Sequence, residues 1–197
     1  MVQLVTRSSA RVAAIAAVTI ALSTIPSARA QQQEQPPALQ PTEQHRLLQK
    51  DVGTWDAEIT LFPPEEGAEP MKSKGTEKCE LLMGGMWLVS RFEGEMAGME
   101  FAGAGTFGYD PVEKKYVGTW ADSMSPHLMI IKGDYDADTK TMTSTGEGRD
   151  PATGDMYLAK LVSRYLNDGT RTFEMHMRGP DGKFSKMMEI KYKRRAE

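Results

Sequence analysis

The chain has 197 residues, with 24 Lys and Arg against 27 Asp and Glu, and one cysteine. A net charge of −3 excludes a protein built to hold phosphate backbones, so no nucleic-acid partner is expected. A single thiol excludes an internal disulfide, and the core must hold by burial alone, which a domain of roughly 150 residues can manage.

Residues 1–30 read as a signal peptide. Arg7 and Arg11 form a basic n-region, Val12 to Ile25 is uncharged and apolar, and Ala28-Arg29-Ala30 supplies small residues for cleavage. The apolar stretch falls short of the ~20 residues that span a bilayer. No cysteine follows the cleavage site and Arg7 and Arg11 are not adjacent, so neither lipid anchoring nor the twin-arginine route is indicated. The expectation is an exported protein, periplasmic or secreted, with no stable membrane anchor after cleavage. Its mature part would carry 21 basic against 27 acidic residues, about −6.

Residues 31–41 are rich in Gln and Pro and read as a disordered linker. The rest, 42–197, reads as a single β-barrel domain. It opens with a short helix over Thr42–Lys50, with Thr42 as N-cap and Leu47-Leu48 as the apolar contact. His45 lies ahead of the barrel and reads as solvated. Helical periodicity then stops. Trp55, Ala57, Ile59 and Leu61 alternate with Asp56, Glu58 and Thr60, the period-two pattern of a strand, until Pro63-Pro64. Similar runs follow at 76–83, 86–96, 99–109, 115–124, 127–135, 140–148, 156–166, 170–178 and 184–194, separated by Gly, Pro, Asp and Asn turns. Cys79 alternates with charged neighbours and reads as a buried strand position.

About ten strands joined by short turns must pair with antiparallel neighbours. Free edges on such a meander would invite aggregation, and closure removes them. A two-sheet sandwich would need longer Greek-key connections. The predicted fold is therefore all-β, a closed antiparallel up-and-down barrel. Gly94, Gly103, Gly105, Gly118, Gly133 and Gly146 fit the bends of a tightly curved wall.

The tetrapeptide Val-Gly-Thr-Trp occurs twice, at Val52–Trp55 and Val117–Trp120. With Lys74-Gly75-Thr76, Gly103-Ala104-Gly105-Thr106, Gly108-Tyr109-Asp110, Ala121-Asp122-Ser123-Met124, Gly146-Glu147-Gly148 and Met187-Met188-Glu189-Ile190, these elements resemble the bacterial family known as domain of unknown function 1579. The likeness runs from about Thr42 to Arg195 and implies a lipocalin-like (calycin-like) fold; it carries no activity with it. Gly53-x-Trp55 after a short helix is also similar to the first-strand signature of lipocalins. That similarity implies a barrel-closing Trp55 packed against a basic residue of the last strand, Lys193 or Arg194. The usual lipocalin helix between the last strands is not evident.

Three patterns bear on chemistry. If Ser123–Pro126 is a hairpin loop, Asp122 and His127 face each other, close enough to interact. An Asp orienting a His is half of a general-base apparatus, and equally a way to anchor a ligand or satisfy a buried imidazole. Methionine is abundant, at fourteen. Met86, Met96, Met124, Met129, Met175, Met177 and Met188 are expected to point inward, where methionine suits varied apolar ligands. Met175-His176-Met177 raises soft-metal binding, but alternation turns His176 away from the two thioethers. No metal site and no cofactor are expected. Gly103-x-Gly105-x-x-Gly108 lacks the helix that gives such a motif its meaning.

The leading expectation is a barrel that binds a small apolar or amphipathic molecule. Trp120, Asp122, Met124 and His127, with Met86, Phe92, Met129 and Met175, are the candidate ligand residues. The alternatives are a hydrolase or isomerase using the Asp122–His127 pair, and a structural or partner-binding barrel with a filled core.

Overall fold

The computed structural model describes residues 40–196 apart from 66, 151, 152 and 168. The expected signal peptide, and residues 31–39 of the expected linker, lie outside the described residues. A five-residue helix α1 (Glu43–Leu47) runs into a 3-10 turn over Leu48–Asp51. Ten strands follow: β1 (Gly53–Leu61), β2 (Met71–Leu82), β3 (Trp87–Met96), β4 (Met99–Asp110) and β5 (Lys115–Asp122), then β6 (Ser125–Asp136), β7 (Thr141–Arg149), β8 (Met156–Asn167), β9 (Thr170–Arg178) and β10 (Phe184–Arg194). Each pairs antiparallel with its sequence neighbours, and β1 also pairs with β10, so the sheet closes into a barrel. The predicted closed meander is the fold.

Alternation determines what faces inward. Trp55, Ala57 and Ile59 are buried, and their partners across the wall are Glu77, Gly75 and Ser73 on β2 and Arg194, Tyr192 and Ile190 on β10. Trp55, Phe92, Phe101, Ile190 and Tyr192 belong to one buried cluster. Leu48 joins Cys79 and Leu88 in a second, where the segment before β1 packs against one end of the barrel. β2 begins at Met71, five residues before the alternation becomes readable. Its first two residues, Met71 and Lys72, are exposed, and pairing with β1 through Leu61↔Met71 extends it.

The closed end is built around the Gly-x-Trp element. Gly53 has φ +122°, and a Cβ there would stand 2.8 Å from Arg194 Nη1, so only glycine fits. That space lets the Arg194 guanidinium lie 4.1 Å from the Trp55 ring centroid and donate to the carbonyls of Val52 and, at 2.6 Å, Lys50. The Trp55 indole N–H donates to the Asp51 carbonyl at 2.8 Å, tying the 3-10 turn to the barrel.

His45 is buried, which corrects its reading as solvated. Its Nδ1 receives the Thr42 backbone N–H at 3.0 Å, and its ring meets Tyr109 edge-on at 5.8 Å. The helix covers a barrel end, so its inner face is desolvated however polar its sequence.

The wall glycines do more than bend strands. A Cβ at Gly103 would collide with the Trp120 indole, and one at Gly118 with the Phe107 ring. Both rings lie against bare backbone, which leaves room in the middle of the barrel.

Candidate functional site

That room is a cavity of about 550 Å³, within the ~300–1,000 Å³ of small-molecule sites. Its walls are mainly apolar. Phe92, Phe101, Trp120, Met129, Leu161 and Met175 line it midway, with Met71, Met96, Met124 and Met188 toward the end away from α1. Methionine side chains adapt their shape and are polarizable, so this lining fits apolar surface of varied outline.

The floor at the α1 end is charged. Asp51, Glu77, Ser90, Tyr165 and Arg171 all reach the cavity from the 3-10 turn, β2, β3, β8 and β9. Glu77 accepts from Ser90 Oγ at 2.5 Å, Arg171 Nη2 at 2.5 Å and Cys79 Sγ at 3.6 Å. The Arg171 guanidinium stacks with its carbon 4.7 Å from the Trp55 centroid and 4.2 Å from that of Tyr192. Asp51 Oδ2 accepts from the Tyr165 hydroxyl at 2.8 Å. Asp51 Oδ1 lies 3.3 Å from Arg171 Nε, within ion-pair range, yet neither atom makes an aligned hydrogen bond.

The two carboxylates are unequally served. Burial by itself opposes the charge on Arg171, but Glu77 and Asp51 more than offset it and hold the guanidinium charged. Asp51 shares Arg171 with Glu77, and Arg194 adds a weaker favourable charge. Burial pushes its carboxyl above the usual value, and Arg171 and Tyr165 reverse only part of the shift. Burial also pushes the Cys79 thiol upward, so Cys79 is a protonated filler of the floor.

Of the residues singled out from sequence, Phe92, Trp120, Asp122, Met124, Met129 and Met175 line the cavity, whereas Met86 and His127 do not. Met86 caps the 3-10 turn Met83–Gly85 and precedes β3, so the parity of β3 does not apply to it. Met177, expected to face inward, is also outside the lining. The Asp122–His127 pair needs correction. The loop is only Ser123-Met124, Asp122 stands opposite Ser125, and a register shift separates that pair from Trp120↔Met129. Asp122 instead caps the turn, accepting from the Met124 and Ser125 backbone N–H at 2.9 and 3.0 Å and from the Trp120 indole at 3.1 Å. The general-base arrangement imagined from sequence is therefore absent from this hairpin.

His176 sits 3.0 Å from Glu174 Oε2, while Met175 beside it lines the cavity, as alternation requires. Among the described residues, no group of three or more His, Cys, Asp and Glu is placed to hold a metal ion. The charged floor was missed from sequence. Its signal was parity: Glu77 shares the face of buried Cys79, and Arg171 that of Phe173 and Met175.

Several solved structures are similar, among them the following two. One is the S-type phycobiliprotein lyase CPES from Guillardia theta, at 11% identity and TM-score 0.52, covering 79% of this chain and 94% of that one. The other is Rv2717c from M. tuberculosis, at 11% identity and TM-score 0.57, covering 79% and 99%. At such identity both likenesses show the fold alone. No curated protein matches the sequence. The profile of the family described as Protein of unknown function (DUF1579) matches residues 40–194, and the chain belongs to that family.

Proposed function

We propose that this protein is an exported binding protein that takes one small apolar or amphipathic molecule into its barrel. The observation that carries the reading is the cavity of about 550 Å³, apolar along its walls and charged at one end. A barrel whose interior served only stability would be filled to the density of ordinary cores. Here glycines at 103 and 118 seat rings against the wall and keep the middle clear. Trp120, Met124, Met129, Phe92 and Met175 would contact the apolar body of the ligand, and Asp122 would orient Trp120.

Native mass spectrometry of the protein purified from its own host without detergent tests the reading. The expected result is a fraction of chains carrying one extra mass of small-molecule size, lost on denaturation. A bare chain that also fails to take up any apolar probe would overturn it. Export rests on residues 1–30 of the sequence. It predicts that protein recovered from periplasm or medium begins near Gln31, and a cytoplasmic chain retaining its first thirty residues would contradict it.

A further inference from the structure

Resting on that reading of the cavity, we infer that its floor selects a ligand with a protonated amine head, and disfavours a carboxylate of the same length. Charge balance in a desolvated place decides the head group. Asp51, Glu77 and Arg171 are buried together at the floor, two carboxylates against one guanidinium. Their side chains are only 9–10% exposed, so water does little to screen the excess negative charge.

Glu77 is well satisfied by Ser90, Arg171 and Cys79. The excess therefore rests on Asp51, whose Oδ1 has no hydrogen-bond donor although the residue lines the cavity. Arg194 favours the charged form of Asp51 from nearby, but it adds no cation inside the cavity. Arg194 does not line the cavity and donates to the carbonyls of Val52 and Lys50. Arg149, the other cation of the lining, donates to the Gly154 carbonyl beyond β7.

An ammonium head on the cavity side of Asp51 would bring the charged groups that line the floor to two of each sign. A carboxylate head would set three anions around one guanidinium in a low-dielectric pocket, which is repulsive on balance. A hydroxyl head could donate to Asp51 without changing the charge and belongs between the two. The apolar tail would lie along Leu161, Met175 and Met129 toward the mouth.

The test is a binding series with matched tails: dodecylamine, dodecanol and dodecanoate, each below its micelle concentration. Binding is read by quenching of tryptophan fluorescence at pH 7 in 0.5 M NaCl. High salt shortens the screening length to roughly 4 Å and suppresses attraction of the amine to the acidic surface. The expected order is amine over alcohol over carboxylate, with at least tenfold between the extremes. Asp51→Asn, which keeps an acceptor for Tyr165, should reduce the amine's advantage over dodecanol by tenfold or more. The wild-type ranking decides the inference even if that variant fails to fold. Carboxylate binding as tight as amine would overturn it while leaving the cavity reading intact. Failure of all three to bind would remove both.

Discussion

Replacing Arg171 by Met probes the floor most severely. The change removes the guanidinium that faces Glu77 at 2.5 Å and Asp51 at 3.3 Å, and its stacking on Trp55 and Tyr192, while keeping an apolar chain of similar reach. Breaking a buried ion pair from one side typically costs about 3–5 kcal/mol, because the remaining charge is stranded. Here two carboxylates are stranded, so the upper part of that range applies. A domain of this size loses about 2–4 °C of Tm per kcal/mol, and a fall of roughly 10–20 °C at pH 7 is expected in thermal unfolding followed by circular dichroism. The sign of the pH dependence follows from the stranded acids. Burial already raises the Asp51 carboxyl, and loss of Arg171 removes the charge that most opposes that shift, so the variant loses stability as pH rises through the folded value and recovers it on acidification. The gap to wild type should narrow from pH 7 to pH 4. Arg171→Met with Glu77→Gln should recover part of the loss. A Tm within about 2 °C of wild type at pH 7, or a gap that widens on acidification, would refute the reasoning.

Other consequences are equally direct. Because burial raises the Asp51 carboxyl above its unfolded value, its contribution to stability is largest at low pH and declines as pH rises through the folded value. The Tm of Asp51→Asn minus that of wild type should therefore increase from pH 4 to pH 7, and a decrease would contradict the burial argument. Gly103→Ala should displace the Trp120 indole and destabilise by about 1–3 kcal/mol, a loss that shrinks in a Trp120→Leu background. Additive losses in that double-mutant cycle would show that the ring does not depend on the bare backbone. Trp55→Phe retains a buried ring but leaves the Asp51 carbonyl without its donor, and should lower stability by about 1 kcal/mol, with no loss expected if that bond is immaterial.

Much of the barrel was legible because alternation along a strand is a local property. β8, β9 and β10 were bounded to within a residue of their observed limits by turn residues alone. The site was less legible, because a single residue of register decides which side chains meet. His127 was set opposite Asp122 by counting across a four-residue loop. Two backbone hydrogen bonds to Asp122 Oδ1 instead tighten the loop to Ser123-Met124, and a register shift places Ser125 there. Met86 was assigned a strand parity that it lacks because it caps the 3-10 turn Met83–Gly85 in helical conformation, ahead of the strand. Asp51 was beyond reach for a different reason. Its orientation depends on how the segment before β1 docks on the barrel end, a contact between parts of the chain that no local pattern encodes. Glu77 and Arg171 carried readable parities, but a charged side chain on the inner face is ordinarily excluded by desolvation, and only their mutual pairing makes it tolerable.

The central claim is an open, ligand-sized interior, and titration with Nile red, a neutral dye whose emission shifts to the blue in apolar surroundings, tests it most directly. Saturable uptake of a single dye per chain is expected, lost when Leu161→Trp and Met175→Trp together fill the middle of the cavity in a protein still folded by circular dichroism. Absence of saturable uptake, or uptake unchanged in the filled variant, would contradict it.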